Sequence, residues 1–216
     1  MVSNINIDAL IADLTPVRRV GHGDVLLIAI AATFVPIVSI IMTIGIRSDI
    51  LTNHINPVFF IRSGLLLMLA IATIFAISGA ARPVVGNAQN NWVWALSIVS
   101  VFPIVGFYRF LDFKFSGNSL APLLHEFKYG PICLFVSMLS ALWIGGILTL
   151  WLRRGAPTAL HRAGWLVGIA AGALGVFSFN FHCSSSDIIY IGFWYSLSIT
   201  FCACLGRILV PRLIRW

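Results

Sequence analysis

Cys133 and Cys183 are the residues of this chain whose types first suggest chemistry, and His182 stands directly beside the second. A thiolate is both a nucleophile and a soft metal ligand. A pair of them can oxidise to a disulfide or present donors to copper, zinc or cadmium. His182 would then be a third metal donor, with His125 and Asp187 as weaker ones. The alternative is that both cysteines are small apolar residues at helix ends that never meet. The pair lacks CxxC spacing, which a thiol-oxidising membrane enzyme would be expected to show. HExxH, Walker and nucleophile-with-base patterns are also missing, so nothing in the spacing asks for catalysis.

The elements that must hold these side chains follow from composition. Of the 216 residues, 59% are hydrophobic and only 10% charged, whereas soluble domains carry roughly 25% charged residues. Apolar runs cover about 25–46, 59–80, 92–110, 132–152, 163–181 and 188–210. Each is near the ~20 residues a helix needs to cross a bilayer. Inside lipid every backbone N–H and C=O must be satisfied within the segment, so each run is expected to be a helix. The expectation is an all-α polytopic membrane protein, a bundle of about six transmembrane helices with short loops. Residues 1–22 form a cytoplasmic amphipathic tail and residues 23–216 the transmembrane domain. Pro36 and Pro103 lie inside spans, where neighbouring helices can re-satisfy the freed carbonyls.

Orientation follows from the basic residues. Arg18, Arg19, Arg82, Arg153, Arg154, Arg162, Arg207, Arg212 and Arg215 share the N-terminal side, against Arg47, Arg62, Arg109, Lys114 and Lys128 on the other. The positive-inside rule then makes both termini cytoplasmic. It also places Cys133 and Cys183, at the start of the fourth span and the end of the fifth, on the outer face at similar depth. Cys202 and Cys204 fall inside the last span and are read as packing or lipid-facing residues. The seven tryptophans mostly fall near span ends and are read as interfacial anchors. The net charge of +7 sits in short clusters between apolar runs, a topology signal and not a nucleic-acid surface. No span carries an ionisable residue near its middle, which argues against a small transporter or channel.

The tail has a pattern of its own. Ile7, Leu10, Ile11 and Leu14 recur at helical spacing and put one aliphatic stripe on a helix, with Asp8 and Asp13 away from it. A helix of about nine residues is marginal alone. It is expected to lie on the membrane surface, on the protein's own cytoplasmic face, or in a groove of a partner protein. The two aspartates disfavour a lipid surface.

Several segments together resemble the NrsF family, bacterial inner-membrane anti-sigma factors that negatively regulate an extracytoplasmic-function (ECF) sigma factor. They are Asp8-Ala9-Leu10-Ile11-Ala12-Asp13-Leu14, Pro16-Val17-Arg18-Arg19, Leu152-Arg153-Arg154-Gly155-Ala156-Pro157, His182-Cys183 and the closing Arg215-Trp216. The resemblance implies that the tail, through Ile7, Leu10, Ile11, Leu14, Arg18 and Arg19, holds a sigma factor at the membrane. It implies further that Cys133 and Cys183 sense heavy-metal or oxidative stress, with no obligatory cofactor beyond a transient soft metal ion and no direct contact with nucleic acid. The chain departs from the family pattern at Thr15, where a proline is expected, and at Ser184-Ser185-Ser186, where acidic or proline residues are commoner. The second departure leaves Asp187 as the expected carboxylate near a metal.

Overall fold

The computed structural model describes residues 21–52, 56–81, 92–116, 121–155, 157 and 159–214. The whole tail stripe, with Arg18 and Arg19, lies outside the described residues, as do Arg82, Arg215 and Trp216. Among the described residues every regular element is an α-helix: α1 His22–Thr43, α2 Ser48–Leu51, α3 Pro57–Ala80, α4 Trp92–Phe115, α5 Ala121–Phe127, α6 Gly130–Leu152, α7 Leu160–Phe179 and α8 Ile188–Ile214. Among the described residues five helical stretches are long and apolar enough to cross a membrane: Gly23–Thr43, Pro57–Ala80, Leu124–Leu152, Leu160–Phe179 and Ile188–Ile214. The remaining expected run is the 24-residue helix α4, about 36 Å long at 1.5 Å per residue. Phe34, Met68, Phe107 and Leu139 project outward, each more than half exposed, a belt that suits hydrocarbon rather than water.

Local chemistry sets the helix ends. Asn56 caps α3, its side chain accepting from the Val58 N–H at 3.0 Å, and Pro57 occupies a first-turn position where its missing N–H costs nothing. α1 and α4 continue through Pro36 and Pro103. The third and sixth runs extend beyond their expected ends to Phe115 and Ile214. At the end of α4, Arg109 and Asp112 pair one turn apart at 3.6 Å on the surface. The short helices α2 and α5 lie where plain connecting segments were expected. Three buried hydroxyls return to their own helix: Thr33 donates to Ala29 O at 2.7 Å, Thr73 to Leu69 O at 2.7 Å and Ser178 to Leu174 O at 2.9 Å, which satisfies them without a neighbour.

α7 is the axis of the bundle, packed against α3, α6 and α8. Its glycines let backbones approach. A Cβ added at Gly168 would fall on the Cys202 carbonyl and 2.7 Å from Ala203 Cα, and one at Gly175 would stand 2.9 Å from Ala141. Small residues at such spacing are how helices associate in lipid, where the hydrophobic effect gives no drive. Gly168→Leu should therefore destabilise the fold by at least the ~1–3 kcal/mol of an overpacked core. Gly146→Ala, with nothing within 4 Å of the new carbon, should be silent. Thermal unfolding in detergent compares the two, and equal melting would contradict this packing.

The tryptophans divide. Trp94 is 73% exposed and Trp165 sits under the Arg207 guanidinium at 5.7 Å, but Trp151 is buried at 4%. Trp151 is thus a core residue and not an interfacial anchor, because its position on α6 turns it toward the bundle.

Candidate functional site

The site lies at the end of the bundle where α1 and α7 finish and α3, α6 and α8 begin. α7 stops at Phe179, and the chain turns back with His182 N–H donating to Phe179 O at 2.9 Å and Cys183 N–H to the same carbonyl at 3.1 Å. The link through residues 183–187 has no regular structure. Asp187 ends it by capping α8, its carboxylate accepting from Ile189 N–H at 2.7 Å and Tyr190 N–H at 3.1 Å. That carboxylate, a candidate metal donor by sequence, uses Oδ1 for the cap.

Neighbouring helices tie the link down. Arg62, in the second turn of α3, donates Nη1 to Ser185 O at 2.6 Å and Nη2 to Cys183 O at 2.9 Å. The His182 ring meets Gly45 O through Nδ1 at 2.9 Å. A carbonyl can only accept, so Nδ1 carries the proton. Gly45 itself has φ +96°, a left-handed conformation that a side chain would strain. Ser185 Oγ donates to Glu126 Oε2 of α5 at 2.6 Å. A carboxylate therefore does reach the serine run, from a different element than Asp187. Beneath, Asn180 donates to Ser63 Oγ at 2.6 Å.

Two arginines counted as outer topology charges are not surface charges. Arg47 and Arg62 are each only 3% exposed and face the same Phe59 ring, at 5.2 and 5.7 Å from its centroid. Arg47 pairs with Asp49, its Nε donating to Oδ1 at 2.7 Å. That guanidinium holds the Asp49 carboxyl below its ordinary value, against the opposing effect of burial. A depressed carboxyl contributes stability that is present at neutral pH and lost only as pH falls through its lowered value. Arg109, Lys114 and Lys128 remain exposed on this side.

The structure brings Cys133 and Cys183 to this one end. Both thiols are free and buried, 1% and 7% exposed. Cys133, in the first turn of α6, donates its N–H to Tyr129 O at 3.3 Å. The two thiols and the Tyr190 hydroxyl lie within electrostatic reach of one another. Cys183, His182, Ser184, Glu126 and Tyr129 are among the residues lining an open cleft of about 520 Å³. Among the described residues no three His, Cys, Asp or Glu side chains are grouped to hold a metal ion. With Nδ1–H held on Gly45 O, Nε2 is the ring nitrogen of His182 left to bind a metal. His125 is exposed and stacks edge-on against Tyr129, ring centroids 5.9 Å apart. Cys202 is buried beside Gly172, and Cys204 is exposed on the apolar surface of α8.

Sequence reasoning missed Arg62, Arg47 and Glu126. One signal was available for Arg62, which falls inside the second apolar run and not beyond its end. An ionisable residue within a span is a functional candidate by default.

Comparison with known proteins gives the family. The family model described as "NrsF: Negative regulator of sigma F" matches residues 10–216. The "Anti-sigma-F factor NrsF" of Caulobacter vibrioides is 24% identical over 220 residues, 97% of each chain. The "Probable anti-sigma-F factor NrsF" of Azospira oryzae is 27% identical over 171 residues, covering 79% of this chain and 78% of its own. No solved structure matches the chain. A family match across nearly the whole sequence, the tail stripe from Leu10 onward and the thiol link included, places the chain in the NrsF family of negative regulators of sigma F.

Proposed function

We propose that this chain is a membrane-bound anti-sigma factor that retains an ECF-type sigma factor through its N-terminal tail and releases it when Cys133 and Cys183 react with a soft metal ion or an oxidant. The role is regulatory and needs no catalytic residue. The observation that carries it is the family match from residue 10 onward, which includes most of the aliphatic stripe. The thiols add the signal input, since helices distant in sequence bring both to one buried end. The chain sits in the bacterial inner membrane with both termini in the cytoplasm. The burial of Arg47 and Arg62 supports that orientation, because removing them from the outer surface sharpens the basic bias toward the N-terminal side.

The coupling requires two bundle states whose balance the thiols shift. Moving a 1:99 balance to 99:1 takes about 5.5 kcal/mol of preference, within reach of a disulfide or a two-thiolate metal site. α3 touches both ends: Arg62 holds the thiol link, and Ala81, just past its last turn, packs against Gly155 at the opposite end.

Fractionation of cells tests the proposal. The full chain should keep a co-expressed cognate sigma factor in the membrane pellet, and a chain lacking residues 1–20 should leave it soluble. Retention by the truncated chain would move the contact to the 153–162 link or the C-terminus.

A further inference from the structure

We propose that Arg62 is the positioning residue that withholds Cys183 from reaction: its two hydrogen bonds to the Cys183 and Ser185 carbonyls keep the link shut, and their release makes the thiol available. The proposal rests on the thiol-sensing reading above. Three observations carry it.

The first is the burial of a guanidinium that topology alone would put in water. Arg62 is 3% exposed, and an arginine enters such a place only where its donors are used. It uses Nη1 and Nη2 on two carbonyls across 123 and 121 residues of sequence, while Nε is buried with no hydrogen-bond partner. A planar fork with fixed donors can bridge two carbonyls two residues apart, whereas an ammonium is a point donor. The second is what the fork grips. The link is joined to its flanking helices by Cys183 N–H on Phe179 O and by Ile191 N–H on Asp187 O, and between these ends residues 183–187 have no regular structure, so the position of the Cys183 carbonyl depends on ties from other helices, and this one is at that atom. The third is the state of the thiol. Cys183 borders a cleft of about 520 Å³ yet is only 7% exposed, so a reagent in the cleft meets it only after a local opening.

The other ties on the link hold different atoms: His182 Nδ1 on Gly45 O, and Ser185 Oγ on Glu126. Losing Arg62 therefore frees the Cys183 carbonyl, whose N–H stays on Phe179 O, while the His182 and Ser185 side chains remain anchored. The bundle core, including Cys202 against α7, is not touched by the change.

The experiment is alkylation of the full chain in spheroplast membranes by a membrane-impermeant maleimide, read cysteine by cysteine by mass spectrometry. This measures the thiol directly, so it stands or falls independently of sigma-factor binding. In Arg62→Met, Cys183 should be labelled about tenfold faster or more than in the unmodified chain, as expected for losing hydrogen bonds to a charged group. Cys202 labelling should not change. Arg62→Lys, keeping charge but not the fork, should fall between. Wild-type labelling of Cys183 in Arg62→Met would overturn the proposal, as would an equal rise at Cys202, which signals general loosening. If Arg62→Met does not accumulate, Arg62→Lys decides alone: faster Cys183 labelling supports the clamp, and an unchanged rate refutes it.

Discussion

Replacing Leu10 and Leu14 together with alanine should free the sigma factor and raise expression of its genes without any stress. Both lie on the stripe with Ile7 and Ile11, and a buried aliphatic anchor at an interface typically costs about 2 kcal/mol or more when truncated. The pair would then lose about 4 kcal/mol, roughly a thousandfold in affinity. Asp8→Asn and Asp13→Asn, off the stripe, should have far smaller effects. A transcriptional reporter for the sigma factor's regulon reads all of these. A double alanine variant that represses as well as the unmodified chain would exclude the stripe as the binding surface. Arg18 and Arg19 add charge next to it and should affect the salt dependence of binding more than its existence.

Cys133→Ser or Cys183→Ser should abolish the response to metal or oxidant while leaving repression intact. Half a pair neither bridges nor chelates well, so each single variant should resemble the double one. Serine is close in size and its hydroxyl can serve the hydrogen-bonding neighbours of the thiols, Tyr190 and Ser137 at Cys133 and Tyr195 at Cys183, so accumulation in the membrane should be unchanged. His182 separates the two chemistries. Because its Nδ1 holds Gly45 O, His182→Asn, which keeps a donor, is the informative change. A metal response should weaken in it, and a disulfide response should survive. Cys202→Ser and Cys204→Ser should alter packing only.

The helices were legible because the bilayer leaves an apolar run of ~20 residues little alternative. Their ends were less so. α4 runs on to Phe115 past Arg109 because a helix can leave the hydrocarbon and continue into water. α2 and α5 are too short for periodicity to show, and α5 is held through Phe127 against Tyr190, Phe193 and Trp194. The placement of Cys133 and Cys183 at one end followed from counting spans, since topology alone fixes which end each occupies. What surrounds them did not follow. The Arg62 hydrogen bonds join residues more than a hundred positions apart, and the Glu126 carboxylate reaches Ser185 of the link from α5. Such contacts depend on how α3 and α5 rotate against the link, which no local pattern encodes.

The most direct test of the central claim follows the membrane-bound fraction of a tagged sigma factor before and after challenge with cadmium or an oxidant. It compares the unmodified chain with one carrying both Cys133→Ser and Cys183→Ser. The account predicts that the sigma factor starts at the membrane with both chains and leaves it only with the unmodified one. A sigma factor that departs equally from the doubly substituted chain, or that was never at the membrane, would contradict it.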